Sequence, residues 1–283
     1  GWDFLGNTSY TDFSLGKITG DNDTRIDDID TRLAHGTFIG GCISARTNNY
    51  YGMASSAPNC KLLPVKIASD LGFSALEHKG VLYGAMMGAS VINCSWSFFG
   101  FSPADREIVE TVARHGVLLV NSAGNNAQNI DETSYHYENY LDVMYVGASN
   151  KDDSLANFSN YGVLTGVYAP GSEIQTCRPG NRYSVGSGSS FSAPFVSGAA
   201  GLVKSIHPDW LPRQIFHQLR STSDRIFFED DSPSQKLAFG RLNVEKALEY
   251  NIKFDSGKTT PGIEFTNTLI NNENGFLSAN DTA

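Results

Sequence analysis

Short apolar runs rich in β-branched residues recur along the chain, separated by longer stretches whose apolar positions follow a helical period. The runs Lys61-Leu62-Leu63-Pro64-Val65-Lys66-Ile67, Ser90-Val91-Ile92-Asn93-Cys94, Gly116-Val117-Leu118-Leu119-Val120 and Val143-Met144-Tyr145-Val146 predict buried strands. Between them, 74–88 predicts a helix with Ala75, Val81, Leu82, Ala85 and Met86 on one face. A second helix is predicted over 103–114, with Ile108, Val109 and Val112 facing inward. Strand and helix alternating at this length imply an α/β fold: three layers, doubly wound, a mostly parallel sheet with helices on both faces and right-handed connections. Such a sheet places its site at the carboxyl ends of its strands.

Further on, 191–206 predicts a helix of small and apolar residues and 212–220 another. Gly240-Arg241-Leu242-Asn243 then leads into a last helix ending near 250. Residues 1–34 are polar and read as a loop region, with acidic residues at Asp21, Asp23, Asp27 and Asp28. The alternating strand and helix pattern fills 35–251 as one domain. Thr259-Thr260-Pro261-Gly262 and Asn271-Asn272-Glu273-Asn274-Gly275 mark 252–283 as a polar linker or the start of a following module. No internal repeat is evident.

Composition narrows the function classes. With 40% hydrophobic and 18% charged residues the chain has the makings of one large domain. A formal charge of −9, with Lys and Arg scattered, offers no surface to collect nucleic-acid phosphates or anionic lipid. No apolar stretch approaches the roughly 18 to 20 residues needed to span a bilayer. The four cysteines, Cys42, Cys60, Cys94 and Cys177, have no CxxC spacing, and three sit in apolar or strand-like surroundings that favour buried free thiols over a disulfide.

Three segments carry chemistry. Gly186-Ser187-Gly188-Ser189-Ser190-Phe191-Ser192-Ala193-Pro194 joins a strand-like Tyr183-Ser184-Val185 to the small-residue helix. The glycines permit a sharp turn, and a serine at a helix start meets unsatisfied N–H groups and the positive end of the macrodipole. By itself such a turn also serves as an N-cap or a phosphate cradle, although the lysine of a phosphate-binding loop is absent. Ala34-His35-Gly36-Thr37 opens another apolar helix with an imidazole, which exchanges protons near neutral pH. Ala123-Gly124-Asn125-Asn126 follows directly on a strand, where a side-chain amide can donate to a developing oxyanion or simply form a turn.

In this order the three segments resemble the subtilisin-like serine proteases, the subtilases. His35-Gly36-Thr37 is similar to their histidine motif, Ala123-Gly124-Asn125 to their oxyanion-hole segment and Gly188-Ser189-Ser190-Phe191-Ser192-Ala193-Pro194 to their nucleophile motif. The resemblance runs from about residue 33 to about 250 and includes Ala169-Pro170-Gly171 and His207-Pro208-Asp209-Trp210. It implies a serine endopeptidase: Ser190 as nucleophile, His35 as general base and acid, Asn125 in the oxyanion hole. The substrate would be a protein or peptide, lying beside Ser95, Trp96 and Ser97 with Gly72 on the opposite side. A monomeric protein secreted from a bacterium, with its signal and pro-region outside this chain, is the implied setting.

The sequence departs from the family pattern in places. The family's catalytic Asp ends an apolar strand ahead of the His motif, and no such segment precedes His35. Asp3 stands 32 residues upstream but within Gly1-Trp2-Asp3-Phe4-Leu5, which lacks the strand and the following Gly. The third triad member and the strand bearing it are therefore expected upstream of Gly1, which would leave this chain feebly active alone. In subtilisin, loss of that carboxylate costs about 3 × 10⁴ in turnover. Phe191 stands where relatives often carry Met, Phe38-Ile39 where they often carry His-Val, and Tyr135-His136-Tyr137-Glu138 replaces a pocket-floor segment. A calcium loop is implied at 46–53, with Asn49 as side-chain ligand and carbonyls of Thr47, Tyr51 and Met53; the acidic residues of 21–28 are a weaker second candidate. Two other readings share the fold: a transpeptidase or macrocyclase using the same acyl-enzyme, and an inactive pseudoprotease or binding module. An α/β-hydrolase esterase would need Gly-x-Ser-x-Gly with its His after the Ser, and neither is present.

Overall fold

A computed structural model describes residues 1–4, 20–25, 34–68, 76–96, 103–132, 142–224, 226, 239–250 and the short strands at 253–254 and 263–264. In chain order the elements are β1 (Trp2–Asp3), α1 (His35–Ser44), β2 (Val65–Lys66), α2 (Glu77–Met86), β3 (Val91–Cys94), α3 (Pro103–Arg114), β4 (Leu118–Ser122), β5 (Val143–Ser149) and β6 (Thr165–Pro170). The remainder are β7 (Ile174–Arg178), β8 (Arg182–Gly186), α4 (Ser189–Ile206), α5 (Pro212–Ser221), α6 (Val244–Glu249), β9 (Lys253–Phe254) and β10 (Ile263–Glu264).

The central sheet has the order β3-β4-β5-β6, every neighbour parallel. Strands β4, β5 and β6 are buried on both faces, as parallel strands flanked by crossovers are, while β3 is part-buried before Cys94. Leu118, Val120, Met144, Val146, Val167 and Ala169 point to one side, where they pack with Ala193, Val196, Ala199 and Val203 of α4 and with Ile215, Phe216 and Leu219 of α5. Leu119, Val143 and Cys94 point to the other and meet Val81 of α2 and Val109 and Val112 of α3. These are the predicted three layers. Among the described residues no helix is long and apolar enough to cross a membrane.

Some expectations change in detail. The predicted strand 61–67 contributes only Val65–Lys66 to a ladder, and its partner is β1, so Trp2–Asp3 is a short parallel strand within the segment read as loop. Strand β6 was not predicted as a unit, because Gly166 and Ala169 dilute its apolar signature. The strand-like 183–185 is half of an antiparallel β7–β8 hairpin separate from the main sheet. Within 252–283, β9 and β10 form a two-residue antiparallel ladder.

Candidate active site

Helix α4 begins immediately after Gly188, whose φ of 151° is a conformation that favours glycine. Space demands glycine as well: a Cβ there would lie 3.2 Å from Ser190 Oγ and 3.4 Å from Asn125 Nδ2. Those two distances bring the Ser190 hydroxyl and the Asn125 amide donor close to one point, the place a Cβ on Gly188 would occupy. Ser190 stands in the first turn of α4, where backbone N–H groups have no carbonyl four residues back to bond.

Asn125 is held by its other end. Its Oδ1 accepts from the Ser189 N–H at 2.7 Å and from the Ser189 hydroxyl at 3.0 Å. Ser189 Oγ in turn accepts from Gly124 N–H at 3.1 Å, and Ser189 is fully buried. With both donors on Oδ1, the amide orientation that leaves Nδ2 toward Ser190 Oγ is the only one that keeps these bonds. Asn160 secures the same turn from below, donating from Nδ2 to Ala123 O and accepting from Asn126 and Gln128 N–H.

Pro194 shapes the Ser190 turn from inside the helix. It lacks the N–H that would bond to the carbonyl of Ser190 four residues earlier. The Ser95 hydroxyl donates to that carbonyl instead, at 2.8 Å. Ser95 accepts from Asn93 Nδ2 at 2.9 Å, and Asn93 Oδ1 accepts from Ser197 Oγ at 2.9 Å, so the end of β3 is tied to α4 at two points. Trp96 is fixed at its carbonyl by Asn121 Nδ2 and Ser122 Oγ, both at 2.9 Å. Ser97 and Gly72, the other implied substrate contacts, lie outside the described residues, as does the segment 135–138.

His35 is the first residue of α1, and Phe191, next in the chain to Ser190, meets its ring edge to face at 6.1 Å. Phe191 also stacks on Phe38 at 6.5 Å and packs with Ile39 and Cys42, so α1 and α4 join through an apolar contact beside Ser190. One edge of His35 stays exposed, yet loss of hydration around its imidazole holds the pKa below the ordinary histidine value. Among the described residues no carboxylate hydrogen-bonds to His35. Asp3 is buried and forms an ion pair with Lys66 Nζ at 3.2 Å, which gives it a structural partner.

The sequence reading named His35, Ser190, Asn125, Ser95 and Trp96 and missed Ser189, Asn93 and Asn160, which orient them. One available signal was Pro194 itself, because a proline four residues after Ser190 frees a carbonyl that something must satisfy.

The 46–53 loop has the left-handed residues Asn48, Tyr50 and Gly52 in alternation, a backbone that turns successive carbonyls. Asn49 Oδ1 accepts from Tyr51 N–H at 3.1 Å. Thr47, Tyr51 and Met53 would add only neutral carbonyls, and no group of three His, Cys, Asp or Glu side chains gathers among the described residues. Asn49 and Tyr51 moreover line a groove with Arg178 and Arg182. The described residues thus fit calcium in backbone shape and not in charge. In the second candidate, Asp23 is occupied by Arg25, at 2.5 and 2.8 Å, while Asp27 and Asp28 lie outside the described residues.

The subtilase family model matches residues 8–247. The thermophilic serine proteinase of Bacillus sp. (strain AK1) is 34% identical over 218 residues, covering 76% of this chain and 52% of that protein. Subtilisin BL of Lederbergia lenta is 34% identical over 194 residues, 68% of this chain and 71% of its own length. Of solved structures, a protease from Pseudoalteromonas arctica PAMC 21717 superposes with TM-score 0.70 at 25% identity, covering 88% of this chain and 82% of that one. The protease domain of PatA follows with TM-score 0.65 at 26% identity, covering 80% and 82%. The chain spans about half the length of the first curated relative and 28% of the second, a cell wall-associated protease of Bacillus subtilis (strain 168). With the α/β fold, the parallel sheet and the order of its motifs in agreement, the chain belongs to the subtilase family.

Proposed function

We propose that this chain is the catalytic part of a serine endopeptidase that cleaves peptide bonds through an acyl-enzyme on Ser190. The observation that carries the reading is the pinning of Asn125 by Ser189, which points an amide donor at the space beside Ser190 Oγ. Ser190 Oγ attacks the peptide carbonyl while His35 takes its proton. The carbonyl oxygen becomes an oxyanion that accepts from Asn125 Nδ2 and the Ser190 N–H, and these preset donors cost no reorganisation. His35 then delivers the proton to the departing amine, and water repeats the sequence to release the acid. Substrate would lie along Ser95-Trp96-Ser97, pairing through its backbone.

The triad carboxylate is assigned to a residue outside the described ones, because Asp3 is committed to Lys66. Calcium at 47–53 would be structural and would need a carboxylate from elsewhere, since Asn49 and three carbonyls leave its charge unmatched. A secreted, monomeric protein acting on peptides is the accompanying setting, and 35–251 is taken as the catalytic domain with 252–283 as linker.

A fluorophosphonate probe tests the nucleophile. Labelling that disappears in Ser190→Ala supports the acyl-enzyme; no Ser190-dependent label leaves a binding module. Product masses then separate hydrolysis, which adds water, from transfer to an amine.

A further inference from the structure

The helix that carries His35 has little of its own to fix where it starts. Its N-cap is Ala34, which has no side chain able to cap, and its contact with Phe191 through Phe38, Ile39 and Cys42 is apolar. Apolar burial is non-directional, so it draws two helices together without fixing their offset along the axis. A base that must meet a hydroxyl within hydrogen-bond range needs that offset fixed as well.

A directional bond supplies it. The hydroxyl of Thr176, a fully buried residue of β7, donates to Phe38 O at 2.5 Å, about one turn along α1 from His35. A helical carbonyl offers one lone pair to the N–H four residues on and keeps the other for such a donor. Thr176 Oγ1 in turn accepts from Cys42 Sγ at 3.5 Å, so one hydroxyl grips two residues of α1 that lie a turn apart. Gly41 lets the strand come this close: a Cβ there would lie 2.9 Å from Thr176 Oγ1 and 3.0 Å from Cys177 Cβ.

The other arm of the hairpin leads to the nucleophile. Thr176 pairs with Ser184 and Ile174 with Gly186 in the β7–β8 ladder, and β8 runs through Ser187 and Gly188 into the first turn of α4. Two bonds close the open end of the hairpin: Glu173 N–H donates to Ser187 Oγ at 2.9 Å and Gly188 N–H to Gly171 O at 2.8 Å. Ile174 packs against the cluster of Ile39, Cys42 and Phe191. The helix of the base and the turn of the nucleophile are thus both referred to one ladder.

We propose that Thr176 is a positioning residue for the reaction: its hydroxyl, carried by β7, fixes the offset of α1 and so the place of His35 beside Ser190, and the β7–β8 hairpin is the brace that spaces base and nucleophile. The inference rests on His35 and Ser190 acting as proposed above. Thr176 touches no reacting atom, so its effect passes through Phe38 O and α1 and falls on proton transfer, not on substrate binding. A misplacement of about 1 Å can cost roughly 10²-fold in rate, and loss of this bond permits part of such a shift.

The test compares Thr176→Val, which removes the hydroxyl at nearly unchanged volume, with Thr176→Ser, which keeps the hydroxyl and removes a buried methyl. Both should lose some stability in urea, but only Thr176→Val should lose rate. Fluorophosphonate labelling of Ser190 should slow roughly tenfold in Thr176→Val, and peptide hydrolysis should lose kcat with KM unchanged. Thr176→Ser should keep the rates of the unsubstituted chain, which a role in stability alone would not allow. Circular dichroism checks each fold, and Thr176→Ala replaces Thr176→Val should valine not fold. A second reading needs no chemistry at Ser190: the nuclear Overhauser effect between the His35 and Phe191 rings should persist in Thr176→Ser and weaken in Thr176→Val. An unsubstituted chain without Ser190-dependent label would remove the peptidase reading. An Overhauser effect and labelling rate unchanged in Thr176→Val, or a Thr176→Ser as slow as Thr176→Val, would overturn the brace and leave that reading standing.

Discussion

Asn125 Oδ1 receives two donors from one residue, the N–H and the hydroxyl of Ser189, and these two hydrogen bonds from the neighbour of Ser190 fix which way the amide faces. Ser189→Ala keeps the N–H bond, removes the hydroxyl and leaves Gly124 N–H without its acceptor. One net hydrogen bond is worth about 1 kcal/mol, so turnover should fall about fivefold. The loss should appear in kcat with KM nearly unchanged, because the substrate's ground state does not use the oxyanion donors. Asn125→Ala should cost about 10²- to 10³-fold, the loss known for the corresponding amide of subtilisin, a relative of this chain. A KM effect as large as the kcat effect in Ser189→Ala would argue against positioning.

Gly188→Ala should be more damaging than its size suggests. A methyl at that Cα lies 3.2 Å from Ser190 Oγ and 3.4 Å from Asn125 Nδ2, the space the oxyanion must enter, and the φ of 151° is strained for alanine. Peptide hydrolysis should fall by at least 10²-fold, with a stability loss of about 1 to 3 kcal/mol in urea unfolding. A small fluorophosphonate should lose labelling rate along with it.

Most of the fold was legible because its signals are local. Helix α3 was predicted at 103–114 and runs Pro103–Arg114, since Ile108, Val109 and Val112 recur at helical spacing. The ends of β3 and β4 could be placed because polar turns follow their apolar runs. The orientation of the site was not legible, because it rests on pairs far apart in sequence: Ser189 with Asn125, Ser95 with the Ser190 carbonyl, Asn93 with Ser197. Serine and asparagine occur in any loop, and nothing local distinguishes those that bond across the sheet's edge. Strand β8 was legible at 183–185, but its pairing with β7 escaped for a related reason, since among the described residues the two strands pair only with each other and carry no continuous apolar face.

The four cysteines are free, Cys42 and Cys94 within the interior. Burial pushes the thiol pKa of both upward, most strongly for Cys94, whose thiolate is correspondingly rare. In the folded protein a charged thiol reagent should therefore modify Cys60 or Cys177 first and reach Cys42 and Cys94 only after denaturant is added. Reducing agent should leave the melting temperature unchanged. A drop on reduction would reveal a disulfide.

Chelation gives a separate reading of the 46–53 loop. Asn48, Tyr50 and Gly52 hold left-handed conformations, and for the first two these are costly without a stabilising partner. If calcium is that partner, ethylenediaminetetraacetate should lower the melting temperature and calcium, not magnesium, should restore it. A Tm indifferent to both would remove calcium from this loop and leave its shape to the protein alone.

Acid should affect activity and stability through two histidines, with the same sign. Loss of hydration lowers the pKa of His35, and loss of hydration with Arg220 and Arg213 nearby lowers that of His217. The folded chain therefore keeps both neutral at pH values where the unfolded chain, near 6.5, already binds protons. Their stabilising contribution is complete above about 6.5 and is lost as pH falls below it toward the folded values. Urea midpoints should decline between pH 7 and 5, and His217→Gln should flatten that decline. With the described residues alone around His35, the acid limb of kcat/KM should fall below 6.5, because His35 must be neutral to take the Ser190 proton. A carboxylate hydrogen-bonded to His35 would raise that limb, so a midpoint near 7 or above would reveal a third triad member acting from outside the described residues.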